Sequence, residues 1–224
     1  MYTKSLTTIA AILDAAEERF VADSYDDITL ASVAARAGVT KGAIYHHFRN
    51  KDHLFLSMMD RYLDSLHDAL HEAARSACSP AGPANPDSPG GARGDTDGSA
   101  RDCITQLTKA FLRLPISKQR VVQLVRRDAH RFRSADRKRL VAAYQRALPE
   151  QIEGILEAGI HSGELVRGDS RLMSWQYVAI VEVGLSDYAR RSFKNTDNMV
   201  RQFVSIFFDG ANPVTRRCHP GDKG

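Results

Sequence analysis

The sequence predicts an all-α protein, with a three-helix N-terminal head carrying a helix-turn-helix and a larger C-terminal helical body. Three observations carry this. Apolar residues recur at three- and four-residue spacing through most of the chain, the period of a helix with one buried face. No strand-like alternation survives more than a few residues. Residues 29–48 read as two short helices joined at a single glycine.

The elements follow in order. Residues 7–22 place Ile9, Ile12, Leu13, Ala16 and Phe20 on one face, with Asp14, Glu17, Glu18 and Arg19 mostly opposite. Two short helices are predicted at about 30–37 and 41–47. A longer one spans 51–77, with Leu54, Met58, Tyr62, Leu66 and Leu70 on its apolar face. The next stretch is rich in Pro and Gly and holds no large apolar residue. It cannot bury enough surface to offset its ordering entropy, so 79–101 is expected to be a flexible insertion. Helical pattern resumes at 102–114 (Ile104, Leu107, Phe111, Leu114) and is punctuated by Pro115. Further amphipathic stretches cover 117–132 and 135–161, and Pro149 starts, kinks or divides the second. Gly163 and Gly168 are stop signals. A strongly apolar stretch then runs from Asp169 or Ser170 to about 193, and a last helix ends at Phe208. The organisation expected is a head over 1–50, a body over 51–210 and a disordered tail over 211–224.

Length and composition set the class. The chain has 224 residues, 43% hydrophobic and 26% charged, the profile of an ordinary soluble protein. No stretch approaches the ~18 apolar residues of a membrane span, and the first residues lack a signal peptide's apolar block. Cys78, Cys103 and Cys218 are widely spaced, with no CxxC; three reduced thiols in a cytoplasmic protein are expected. The chain lacks GxSxG, a glycine-rich phosphate loop, HExxH and a Cys/His zinc pattern. The expectation is therefore no enzyme and no cofactor.

The sequence pI is about 9.0, but position matters more than the total. From Ile28 to Lys51 stand Arg36, Lys41, Arg49 and Lys51 with no acid. From Lys109 to Arg139, eleven cations stand against Asp128 and Asp136.

The first basic zone holds the key motif. Thr29 can cap the first short helix, whose apolar face is Leu30, Val33, Ala34 and Ala37. Gly38 sits where the chain must turn through a left-handed conformation. Thr40 caps the second helix, and Ile44, His47 and Phe48 dock it on the first. Its other side presents Lys41, Gly42, Ala43, Tyr45 and His46: a cation, two small residues, a hydroxylated aromatic and an imidazole. Small residues let a helix backbone approach base edges, while Lys41 and Tyr45 can reach phosphates or bases. Asn50-Lys51-Asp52 restarts a helix whose free N–H groups, beside Lys51, suit a phosphate.

The run Ile28–Phe55, with its core Gly38-Val39-Thr40-Lys41-Gly42-Ala43-Ile44-Tyr45-His46-His47-Phe48 followed by Asn50-Lys51-Asp52-His53-Leu54, resembles the tetracycline-repressor family of bacterial regulators. The close match covers about residues 7–60. The resemblance implies a homodimer on a palindromic double-stranded operator, released by a small-molecule effector. By position, the family's DNA contacts fall on Thr29, Thr40, Lys41, Gly42, Ala43, Tyr45, His46 and Lys51.

The body leaves several readings open. Its last two long helices could form a four-helix dimer interface through Ala179, Val183, Ser186, Met199, Phe203 and Phe207, which the resemblance favours over plain core. Phe111, Tyr144, Ile152, Trp175 and Tyr177 could line an apolar effector pocket. The second basic zone could be a solvated helix face, add non-specific DNA attraction, or hold an anionic effector. In the last case Arg126, Arg127 and His130 would meet the phosphates of an acyl-CoA, as some family members sense it. His67 and His71, spaced i, i+4, could present two imidazoles to a metal effector, against the plainer reading as helix charge patterning. A helical scaffold that never touches DNA is the competing class, and it has no need of Lys41, Tyr45 and Lys51.

Overall fold

The computed structural model describes residues 2–78 and 99–210; most of the expected insertion and the expected tail lie outside the described residues. The described residues form α1 (Tyr2–Ala22), α2 (Leu30–Arg36), α3 (Lys41–His47), α4 (Lys51–Cys78), α5 (Ala100–Arg113), α6 (Ile116–Asp128), α7 (Ser134–Ala147), α8 (Pro149–Ser162), α9 (Ser170–Val183), α10 (Asp187–Ser192) and α11 (Thr196–Asp209). Short 3-10 turns at Tyr25–Asp27 and Ala129–Arg131 complete them. There is no strand among the described residues, and no helix there is long and apolar enough to cross a membrane.

Three boundaries differ from the periodicity, each for a local reason. Helix α5 begins at Ala100 rather than 102, because its orphan N–H groups find acceptors. The Ser99 hydroxyl accepts from the Asp102 N–H at 3.1 Å, and the Glu164 carboxylate accepts from Ala100 at 2.7 Å and Arg101 at 3.3 Å. The stretch 135–161 is two helices, since Pro149 takes the first turn of α8, where its missing N–H costs nothing. The apolar stretch to 193 also divides. Gly184 ends α9 where it crosses α11: a Cβ there would sit 2.6 Å from the Phe203 ring. The Ser186 hydroxyl then caps α10 by accepting from the Ala189 N–H at 3.2 Å.

Head and body share one wall. The first turns of α4 complete the head, where Phe55 packs edge-on against Phe20 (4.9 Å between centroids) and Tyr25 (5.5 Å). Phe132, from the corner between α6 and α7, stacks on the other side of Phe55 at 5.1 Å. Helix α6 adds two polar ties. Lys118 Nζ meets Glu17 Oε2 at 2.6 Å, and Glu17 is only 5% exposed; the ammonium offsets the cost of burying that carboxylate. Arg127 donates to the Phe20 carbonyl at 2.9 Å, capping the end of α1.

In the body, Tyr177 is fully buried with its hydroxyl 2.7 Å from Thr108 Oγ1. Burial pushes its phenol up to about 12. Burial likewise raises Tyr25, Tyr62 and Tyr144. Cys103, on α5, is disulfide-bonded, so the expectation of three reduced thiols fails there. Sequence spacing carries no information about helices that meet in space.

Candidate nucleic-acid interface

The helix-turn-helix forms as its residues dictate. Thr29 and Ser32 cap α2 reciprocally: the Ser32 N–H donates to Thr29 Oγ1 at 3.1 Å, and the Thr29 N–H to Ser32 Oγ at 3.2 Å. Gly38 takes φ +68°, the left-handed turn that ends α2 without a Cβ penalty. The Thr40 hydroxyl accepts from the Ala43 N–H at 3.2 Å and starts α3. Ile44 and Phe48 are buried, on a helix that packs on α2, while His47 is only half-buried beside Phe48.

This packing leaves the opposite face of α3 open. Lys41, Gly42, Tyr45 and His46 are exposed, with Tyr45 at 51%, and Ala43 is half-exposed. Thr29 and Thr40 are exposed beside them. Seven of the eight residues expected to contact DNA are therefore wholly or partly solvent-exposed. Lys51 is placed differently. Its ammonium turns back, donating to the Tyr25 carbonyl at 2.7 Å and lying 4.5 Å from the Tyr25 ring centroid. Asp52, its neighbour, accepts from the Tyr25 hydroxyl. In this arrangement Lys51 stiffens the entry to α4. The Asn50 side chain caps that helix, accepting from the His53 N–H at 2.8 Å. Arg36 pairs with Glu18 at 2.6 Å, whereas Lys41 and Arg49 have no acid partner among the described residues. The positive charge of this face thus rests on those two side chains.

The body departs further from expectation. Phe111, Tyr144, Ile152 and Tyr177 are packed core, and Trp175 is 37% exposed on α9; none of them lines the groove between α4, α5 and α8. That groove holds the open space, about 1270 Å³. Its floor is small residues, among them Gly154, Ala158 and Gly159. Its polar wall includes His71, Arg75 and Gln151. Gln151 donates to the His67 and Ala147 carbonyls, while its buried Oε1 has no hydrogen-bond partner.

The second basic zone is largely neutralised by acids from distant segments. Arg126 pairs with Glu182, Arg120 with Asp187, Lys109 and Arg113 with Asp197, and Arg139 with Asp60. Arg127 is held by Asp128 and Phe20. Arg126 and Arg127 are therefore engaged rather than poised for a phosphate, and His130 is exposed and does not line that groove. His67 and His71 stack, 5.8 Å apart and 11° from parallel, and His67 Nδ1–H donates to the Arg146 carbonyl at 3.0 Å. No third donor joins them, since no group of three or more metal-ligating side chains occurs among the described residues; the metal-effector reading loses its footing.

The expected interface residues also separate. Met199 and Phe203 are buried inside the chain, against Gly184, and Phe207 is half-buried on Tyr177. Ala179, Val183 and Ser186 are exposed. Ala179 and Val183 continue a stripe with Leu172 and Trp175 along α9, flanked by exposed Ile206 of α11. Periodicity located the helices, but it could not say which of two apolar faces looks inward.

Comparison with known proteins bears on the head. Residues 12–58 match the family model described as bacterial regulatory proteins, tetR family. The HTH-type transcriptional regulator TtgR of Pseudomonas putida is 45% identical over 69 residues, 31% of this chain and 32% of that protein. The HTH-type transcriptional repressor BepR of Brucella suis is 41% identical over 68 residues, 30% and 32% of the two chains. The matched segments thus span about a third of the length of these curated relatives. Solved structures extend the likeness to the body as fold alone. The TetR-family regulator PfmR of Thermus thermophilus superposes with a TM-score of 0.67 at 16% identity, over 90% of this chain and 99% of that one. FadR of Bacillus subtilis, in complex with stearoyl-CoA, gives 0.66 at 18% identity, over 91% and 99%. Over residues 12–58 the head is thus a tetR-family segment by sequence, and the body shares the helical architecture of solved regulators as fold alone.

Proposed function

We propose that the protein is a cytoplasmic, homodimeric transcriptional repressor that holds a palindromic operator and releases it on binding a small molecule, without catalysing a reaction. The observation that carries this is the open face of α3: Lys41, Gly42, Tyr45 and His46 project together from a helix seated on α2 by buried Ile44. A short helix so mounted fits the major groove. The exposed stripe Leu172, Trp175, Ala179 and Val183 suits pairing with a second copy, which would place two heads at a fixed spacing. The effector enters the groove between α4, α5 and α8, with a hydrogen-bond donor on Gln151 Oε1 and an anionic group toward Arg75 and His71. Because α4 and α6 both pack on the head, filling that groove shifts head spacing and lowers operator affinity.

Duplexes selected from a random pool by the protein supply the test. In a mobility-shift assay, the Lys41→Ala/Tyr45→Ala variant is expected to lose at least tenfold in affinity for the selected duplex, in line with ~1–3 kcal/mol per base or phosphate contact. Equal binding by parent and variant would remove α3 as the reading surface.

A further inference from the structure

The corner joining α6 to α7 carries a cluster of cations that the ion-pair network leaves unused. Arg133, Arg137 and Lys138 are exposed, and none has an acid partner among the described residues. Their neighbours behave otherwise. Arg131 pairs with Asp26 at 2.9 Å and with buried Asp128 at 3.3 Å, and Arg139 pairs with Asp60. In a zone where nearly every cation found a carboxylate, three adjacent ones did not.

The corner is fixed to the head through Tyr25. Arg131 Cζ lies 5.4 Å from the Tyr25 ring centroid, the same ring on which Lys51 rests at 4.5 Å. Phe132 meets that ring edge-on at 5.9 Å. Tyr25 is four residues before Thr29, the cap of α2. Asp26 is neutralised by Arg131, which leaves Asp27, Asp52 and half-exposed Asp136 as the carboxylates without an ion pair near the corner. The three free cations, together with Lys51 on the same Tyr25 ring, exceed them by one. Duplex DNA carries about one negative charge per 3.4 Å of helix axis on each strand, and cations within about a Debye length, 8–10 Å, interact with it usefully.

We propose that Arg133, Arg137 and Lys138 form an accessory contact to the DNA backbone flanking the site read by α3, so that the body as well as the head touches the duplex. This rests on the DNA-binding reading above. The contact is to phosphates, hence independent of sequence, and each cation engaged releases counterions on binding. It lengthens the footprint past the half-site and anchors the head against rotation about α3.

The test measures affinity for a random-sequence 40-base-pair duplex as salt is varied, using the full chain. For Arg133→Ala/Arg137→Ala, the slope of log affinity against log salt is expected to fall by roughly 2 per bound subunit, at about 0.9 per phosphate. Affinity near 0.1 M salt should drop on the order of tenfold or more. The charge-matched control Arg167→Ala/Arg171→Ala, on exposed cations around the start of α9, should leave the slope unchanged, and Arg133→Lys/Arg137→Lys should restore it. An unchanged slope in the corner variant, or an equal fall in the control, overturns the proposal. Failure of the parent to bind any duplex would overturn the DNA-binding reading itself, and a Tyr45→Ala variant, which removes no charge, that kept the slope while losing the selected duplex would separate the two.

Discussion

Replacing Gly42 with Ala should make the protein more stable and a weaker DNA binder. Gly42 lies in the first turn of α3 and is exposed. A Cβ built there meets only Thr40 Oγ1, at 4.0 Å, which is ordinary contact. Its φ is not in the left-handed region. Nothing within the protein therefore requires glycine. Alanine in a helix is favoured over glycine by about 0.8–1 kcal/mol in an interior position, and by somewhat less this close to the end, so a gain of roughly 0.5–1 kcal/mol is expected. For a chain of this size that corresponds to a rise in Tm of about 1–4 °C. The same methyl projects from the exposed face between Lys41 and Tyr45, where it would hold the helix backbone away from base edges. Loss of one close contact of ~1–3 kcal/mol predicts a five- to hundredfold weaker affinity for the selected duplex. Calorimetry and a mobility-shift titration on one preparation measure both. A variant that is stabilised and binds as tightly as the parent refutes the close approach of α3. One that is destabilised refutes the view of α3 as an unstrained, well-capped helix.

Two further outcomes probe the packing. Gly184→Ala should destabilise the fold by about 1–3 kcal/mol in denaturant titration, because the added Cβ falls 2.6 Å from Phe203 and 3.0 Å from Met199 in a crossing that cannot open without moving α9 from α11; a neutral effect would mean that this crossing is loose. In alkaline titration, Tyr25, Tyr62, Tyr144 and Tyr177 all have phenols raised by burial. Each raised pKa contributes stability that is complete below the unfolded value of about 10 and is lost as pH climbs toward the folded one. The native protein at about pH 11 should thus retain four neutral phenols by phenolate absorbance, and its stability should fall steadily above pH 10; full ionisation with the fold intact would contradict the burial of these rings.

How much of this could be read from residue order depends on the range of the interaction. The head was legible because its determinants are local. Thr29, Gly38 and Thr40 act on backbone groups within four residues, and Ile44 follows from helical spacing. The basic zone was not, because its partners arrive from Asp26, Asp60, Glu182, Asp187 and Asp197. A charge count along a window counts the cations and misses acids that arrive through folding. The placement of Lys51 was illegible for the same reason: its acceptor, the Tyr25 carbonyl, is 26 residues away. The effector pocket failed on a different ground. Aromatic stripes such as Phe111 and Tyr177 are equally good core and lining, and only assembled packing shows that they close on one another while space opens beside Gly154 and Gly159.

The stacking of Phe132 on Phe55 bears on how such proteins diversify. Strong identity to relatives is confined to about 69 residues around the head, as though heads were interchangeable parts. Yet the aromatic wall of this head is finished by a residue 77 positions downstream of Phe55, beyond the segment that the family model matches. A chimera joined within α4 would inherit a head whose Phe20, Tyr25 and Phe55 face a foreign corner. Transplanting the recognition unit therefore means carrying Arg127, Arg131 and Phe132 with it, and lineages that exchange heads must co-inherit or re-evolve that one corner of the body.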